Sequence, residues 1–222
     1  MEEILNQIAV CIERGKVNAN SPYPPDLKGQ DGADELTAKA IAEGAAPSDV
    51  LQKALIVGMG NIGRKYSEHK VFVPDLLMAA KAMTAAMKHL KPYFESGEAK
   101  HKGTFIVGTV QGDLHDIGKN LVAMVIEGGG WNVVDLGVDV TAEKFLQAVI
   151  DNPGCAVGLS ALLTTTMVNM EKTVALIKQN RPDTKVLVGG APLTMEFAQK
   201  IGADSYSPDP QGALEYLTAM AG

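Results

Sequence analysis

The sequence predicts an α/β fold in which an N-terminal helical bundle precedes a flavodoxin-like, Rossmann-type five-stranded parallel sheet. Two observations predict it. Apolar residues recur at helical spacing as far as Glu95, and beyond Gly103 short apolar runs alternate with amphipathic stretches. Between the two patterns Ser96, Gly97 and Gly103 interrupt the chain with a polar, charged segment. The chain therefore reads as a helical bundle over residues 1–95, a linker over 96–103, and a second domain over 104–222.

In the first part, Ile4, Leu5, Ile8 and Ile12 mark one helix, and Leu36 to Glu43 a shorter one after a loop rich in Pro and Gly from Asn18 to Gly32. Val50, Leu51, Ala54, Leu55, Ile62 and Tyr66 fit a long helix opened by Ser48 or Asp49. Pro74 suits the first turn of another, whose Leu76, Ala80, Met83, Met87 and Leu90 keep a single apolar stripe.

In the second part the expected strands are Thr104 to Val110, Trp131 to Leu136, Cys155 to Ser160, Lys185 to Val188 and Asp204 to Ser207. Helices fall between and after them, over Ile117 to Glu127, Ala142 to Asp151, Thr165 to Asn180, Thr194 to Ile201 and Gln211 to Met220. Such alternation specifies a parallel sheet with right-handed crossovers. Its expected strand order is 2-1-3-4-5, and ligands then bind at the carboxyl ends of the strands near the switch point between strands one and three.

The loops at those ends carry the chemistry. Gly112-Asp113-Leu114-His115-Asp116-Ile117-Gly118 follows strand one and places an Asp-His pair just before a helix. An imidazole that binds metal in a fixed tautomer needs a partner on its other nitrogen, and Asp113, two residues from His115, supplies one. Asp113 or Asp116 also suits a helix cap. Gly118 removes a side chain where something flat and bulky would pass. After strand three, Ser160-Ala-Leu162-Leu-Thr164 offers hydroxyls that either extend a relay from the His-Asp pair or cap the next helix. After strand four, Gly189-Gly190 lets a ligand lie against bare backbone or makes a tight turn.

A rival signal lies upstream, where Gly58-Met-Gly60-Asn-Ile-Gly63 has the spacing of a dinucleotide-binding fingerprint, with Asp75 downstream of Val71-Phe-Val73. Taken literally it leaves only Arg64 to Lys70 as a crossover helix, too short for a parallel connection. Its supposed strand also runs on from a helical stretch without a loop. The alternative expectation, that Gly58 to Gly63 binds NAD, is set against close helix packing by the same glycines.

Composition bounds the rest. The 222 residues are 46% hydrophobic, enough for a real core, and the net charge of −6 with no basic patch argues against nucleic acid as a partner. Cys11 and Cys155 form no CxxC pair, so neither zinc nor a disulfide framework is suggested. An acidic start and the lack of a long apolar run give no signal peptide and no membrane association, and a cytoplasmic protein is expected.

The segments Gly112-Asp113-Leu114-His115-Asp116-Ile117-Gly118, Ser160-Ala-Leu162 with Thr164, and Val188-Gly189-Gly190 resemble the signature segments of the cobalamin-binding domain of B12-dependent methyltransferases. Gly63-Arg-Lys-Tyr-Ser-Glu-His-Lys-Val-Phe-Val-Pro74 followed by Leu77-Met-Ala-Ala80 is similar to the helical cap that precedes this domain. The resemblance implies a cobalamin (corrinoid) cofactor, methylcobalamin in turnover, bound with its own base displaced and His115 on cobalt as metal ligand. Asp113 would hold the other nitrogen of His115 and Ser160 would be the next member of the relay. The rest of the cofactor would meet Gly112, Leu114, Asp116, Ile117, Gly118, Leu162 and Thr164, with its nucleotide tail passing Gly189 and Gly190. The cap would shield the methyl group with side chains between Tyr66 and Met87.

Without large catalytic domains, the chain resembles the free-standing corrinoid proteins of three-component systems. The partners so implied are a substrate-specific methyltransferase that loads cobalt, a corrinoid:acceptor methyltransferase that passes the methyl to tetrahydrofolate or coenzyme M, and a reductive activase. A cobalamin-dependent sensor is the alternative of another class. The stretch Val17 to Gly32 is longer and richer in proline than the usual first connection of the cap, and reads as a solvated loop or a partner contact.

Overall fold

The computed structural model describes residues 1–97 and 99–221. Glu98, inside the expected linker, and Gly222, the last residue of the expected second domain, lie outside the described residues. The chain forms two compact units, one of Met1–His101 with Gly128–Gly130, the other of Lys102–Glu127 with the chain from Trp131 onward.

The first unit is all helical. It contains α1 (Glu2–Glu13), α2 (Ala33–Ala42), α3 (Pro47–Asp49), a π-helical stretch Val50–Leu55, α4 (Ile56–Ser67) and α5 (Val73–Glu95). Most of the stripe read from the sequence is buried, with Ile8, Ile12, Leu51, Leu55, Leu76 and Leu90 fully enclosed, while Tyr66 and Met87 are partly exposed. Pro74 does lie in the first turn of α5, where Asp75 Oδ2 accepts the Phe72 amide at 2.9 Å and so caps the helix.

The NAD alternative is corrected here, because Gly58, Gly60 and Gly63 all lie inside α4 and, among the described residues, no strand precedes them. Amides within a helix are already bonded and cannot cradle a pyrophosphate. Gly58 instead lets two helices touch: a Cβ there would lie 2.6 Å from the Ala9 carbonyl oxygen and from Ile12 Cβ of α1.

The proline-rich connection is pinned rather than loose. Lys16, fully buried, donates to the Ser21 carbonyl at 3.0 Å, Arg14 pairs with both oxygens of Asp26 at 2.8 and 2.9 Å, and Tyr23 Oη donates to Asp75 Oδ1 at 2.9 Å.

The second unit is the expected doubly wound sheet. Strands β1 (Thr104–Thr109), β2 (Asn132–Asp135), β3 (Ala156–Ser160), β4 (Lys185–Gly189) and β5 (Ser205–Tyr206) are all parallel in the order β2-β1-β3-β4-β5. Helices α6 (Ile117–Gly128), α7 (Ala142–Asp151), α8 (Met167–Asn180), α9 (Met195–Lys200) and α10 (Pro210–Ala221) connect and follow them. The helix expected from Thr165 begins instead as a 3-10 turn over Thr164–Thr166 before α8. The core joins Ile106, Val157, Leu159, Val186 and Val188 of the strands to Phe145, Val149, Met170, Val174 and Ile177 of the helices. This register aligns Thr109, Ser160 and Gly189 across β1, β3 and β4, which brings their three following loops to one edge.

Candidate corrinoid site

The β1 loop folds back on its own strand. Asp113 N donates to Val110 O at 3.1 Å, and Gly112 takes φ 85°, a left-handed angle that suits glycine. The turn buries Asp113 completely while His115 keeps 52% of its side chain exposed.

Asp113 is fully occupied. Its Oδ1 accepts the His115 amide at 3.1 Å and faces His115 Nδ1 at 2.7 Å. Its Oδ2 accepts the Leu162 amide at 2.7 Å, the Leu163 amide at 3.1 Å and Thr166 Oγ1 at 2.9 Å. Burial works to raise the carboxyl's pKa, yet the amides of Leu162 and His115, the His115 ring and Thr166 outweigh it and hold the group well below the usual carboxylate range. An ionised carboxylate only accepts, so the proton it bonds sits on His115 Nδ1 and the lone pair of the neutral ring lies on Nε2. The backbone of His115 is fixed as well, because buried Thr109 donates its hydroxyl to the His115 carbonyl at 2.8 Å.

Apolar side chains stand in the open around this imidazole. Leu114 and Ile117 are each 72% exposed, and Leu162 and Leu163 are about half as exposed, at 42% and 41%. Asp113 ties the two pairs together, since Leu162 and Leu163 donate their amides to it. Large apolar residues held out by a loop whose polar groups are satisfied form a seat for a flat, partly apolar ligand. Gly118 leaves open space, with nothing within 4 Å of where its Cβ would be. Asp116, exposed, accepts from Asn120 Nδ2 at 3.2 Å.

The relay position expected of Ser160 is held by Thr166. Ser160 makes no hydrogen bond to Asp113 among the described residues, and the hydroxyl that reaches the carboxylate is that of Thr166. The reason is the 3-10 turn, which carries the chain from the end of β3 back over the β1 loop and points its last residue inward; Thr166 is 4% exposed, whereas Thr164 is exposed. Three consecutive threonines gave the sequence no periodicity by which to choose between them. Gly190 is demanded by its neighbours, since it sits at φ 140° and a Cβ would overlap the Ala161 carbonyl oxygen. Gly189 has ordinary room, its Cβ position lying 3.5 Å from Ser207 O.

The residues fit a metal that arrives already chelated. Among the described residues no group of three or more His, Cys, Asp and Glu is gathered to hold a bare ion. A single oriented imidazole within an apolar seat would instead hold a macrocyclic metal complex through one nitrogen. Among the described residues no helix is long and apolar enough to cross a membrane.

A family model described as a B12 binding domain matches residues 103–215, and a second with the same description matches residues 30–91. The chain is 38% identical over 191 residues to a trimethylamine corrinoid protein of Methanosarcina barkeri, covering 84% of this chain and 88% of that one. It is 39% identical over 171 residues to dimethylamine corrinoid protein 1 of Methanosarcina acetivorans, covering 76% and 80%. Among solved structures it resembles the methanol:cobalamin methyltransferase complex MtaBC from Methanosarcina barkeri, with TM-score 0.82 and 32% identity over 99% of this chain and 80% of that one. A cobalamin-binding protein from Desulfitobacterium hafniense DCB-2 matches with TM-score 0.74 and 30% identity over 98% of both chains.

Proposed function

Because this chain belongs to the B12-binding corrinoid proteins of methyltransferase systems and its cofactor is cobalamin, we propose that it is a methyl carrier in which His115 replaces the cofactor's own base as the lower ligand of cobalt. The observation that carries this reading is the Asp113–His115 pair, with Nδ1 tied down at 2.7 Å and the ring half in the open.

When bound, the corrinoid supplies a cobalt that takes up a methyl group and gives it away. The chain's own residues do the rest. Asp113 keeps a proton on Nδ1 and orients the ring, so that Nε2 presents its lone pair in one direction. Thr109 and the Asp113 carboxylate fix the backbone of His115. Leu114, Ile117, Leu162 and Leu163 would cover the apolar surface of the ligand, the open space at Gly118 would admit its flat ring, and its tail would pass Gly189 and Gly190.

Its partners are a substrate-specific methyltransferase, for which methanol or a methylamine is the donor class, a second methyltransferase that takes the methyl to tetrahydrofolate or coenzyme M, and a reductive activase. Support comes from relatives named for trimethylamine and dimethylamine, and from a solved relative in a methanol:cobalamin methyltransferase complex. Reconstitution with hydroxocobalamin followed by removal of free cofactor tests the reading. Stoichiometric retention with an absorption spectrum that changes in His115→Ala supports it, and a spectrum identical in the two proteins contradicts it.

A further inference from the structure

We propose that Asp139 is a positioning residue for the His115 loop, an inference that rests on His115 being the lower ligand. Asp139 lies in the connection after β2 and holds φ 54°, a left-handed angle uncommon in residues with a side chain. Its Oδ1 accepts the Gly112 amide at 2.7 Å and its own amide donates to Asp113 O at 3.0 Å. One residue therefore grips two consecutive residues at the root of the loop.

The grip is anchored. Val140, next in the chain, donates to Thr109 O at 3.0 Å and forms an isolated parallel bridge with Val110, so Asp139 cannot drift from the end of β1. On the other side of the loop Asn169 Nδ2 donates to Gln111 O at 2.8 Å. Asp113 is thus held by its amide through Val110 O and by its carbonyl through Asp139 before its carboxylate meets His115. The direction of Nε2 follows from where that carboxylate stands. Glycine would adopt the same backbone angle without strain and keep the amide's bond, so the aspartate is accounted for by what its side chain binds.

The test uses the cobalamin-loaded protein reduced to cobalt(II), whose electron paramagnetic resonance spectrum carries splitting from the axial nitrogen. Asp139→Gly keeps the backbone angle and removes the acceptor. It is expected to fold and to retain corrinoid, with coordination by His115 weakened about tenfold, as for other partners that orient a ligand. Asp139→Asn tolerates the left-handed angle and keeps an oxygen acceptor, and is expected to restore the splitting. A glycine variant with undiminished splitting overturns the proposal, as does one that loses it only by unfolding, or an asparagine variant that fails to restore it. If the parent spectrum already equals that of His115→Ala, the lower-ligand reading falls and this proposal with it.

Discussion

Thr166 Oγ1 donates to Asp113 Oδ2 at 2.9 Å, which joins the turn after β3 to the loop after β1 across 53 residues of sequence. The same hydroxyl lies 2.8 Å from Leu163 O, so its single proton is shared between the carboxylate and the carbonyl of the 3-10 turn.

Thr166→Val keeps the shape and deletes that donor, leaving a buried carboxylate one partner short. It is expected to cost about 1–2 kcal/mol of stability in urea unfolding and to weaken cobalamin retention. Ser160→Ala, which removes no bond to Asp113, is expected to change stability by less than about 0.5 kcal/mol.

Asp113 also sets a pH dependence. Its pKa is held below the ordinary value in the folded protein, because the donors around it outweigh the burial that works to raise it. The stabilisation is then fully present above the unfolded value of about 4, and is lost as pH falls below it toward the folded pKa. Asp113→Asn is expected to be less stable than the parent by about 2 kcal/mol at neutral pH, with the gap shrinking as the pH is lowered through about 4 and below. A gap that stays constant from neutral to strongly acidic pH in urea titrations would show that the carboxylate is not held ionised.

Two glycines of the site separate folding from binding. At Gly190 a Cβ would overlap the Ala161 carbonyl oxygen and the angle is left-handed, so Gly190→Ala is expected to destabilise by roughly 3 kcal/mol or more. At Gly118 nothing lies within 4 Å and the residue is in the first turn of α6. Gly118→Ala is expected to fold at least as well as the parent, by up to about 1 kcal/mol, and to bind cobalamin less tightly. Thermal melts of the empty proteins beside retention assays distinguish the two effects.

In the helical unit, Gly58→Ala is expected to lower stability despite the better helix propensity of alanine, because the new methyl would meet Ala9 O and Ile12 Cβ at 2.6 Å. Gly60→Ala meets only the end of the Arg64 side chain at 3.6 Å and is expected to be neutral or stabilising by up to about 1 kcal/mol. Neither variant should alter NADH binding, which fluorescence titration should find absent in the parent too.

These residues also show what the chain's text conveys. The parallel sheet was legible because strands and helices alternate, its order because five such strands suit the flavodoxin-like arrangement, and the Asp113–His115 pair because two residues of one loop need no tertiary knowledge to meet. Thr166 and Asp139 were not legible. Each reaches Asp113 from another loop, and its arrival depends on a 3-10 turn in one case and a left-handed residue in the other. Gly58, Gly60 and Gly63 have a spacing that fits a phosphate loop and a packed helix alike, so only the surrounding chain decides. Gly190 was legible as a special position, but the oxygen of Ala161 that requires it lies on the neighbouring strand's loop.

The central claim is tested most directly by labelling the protein's histidines with nitrogen-15, loading it with unlabelled cobalamin, reducing to cobalt(II) and recording the electron paramagnetic resonance spectrum. Coordination by His115 predicts that the axial nitrogen splits each line into a doublet, and that the doublet disappears in His115→Ala. A triplet, the mark of the cofactor's own nitrogen-14 base still on cobalt, would contradict the account.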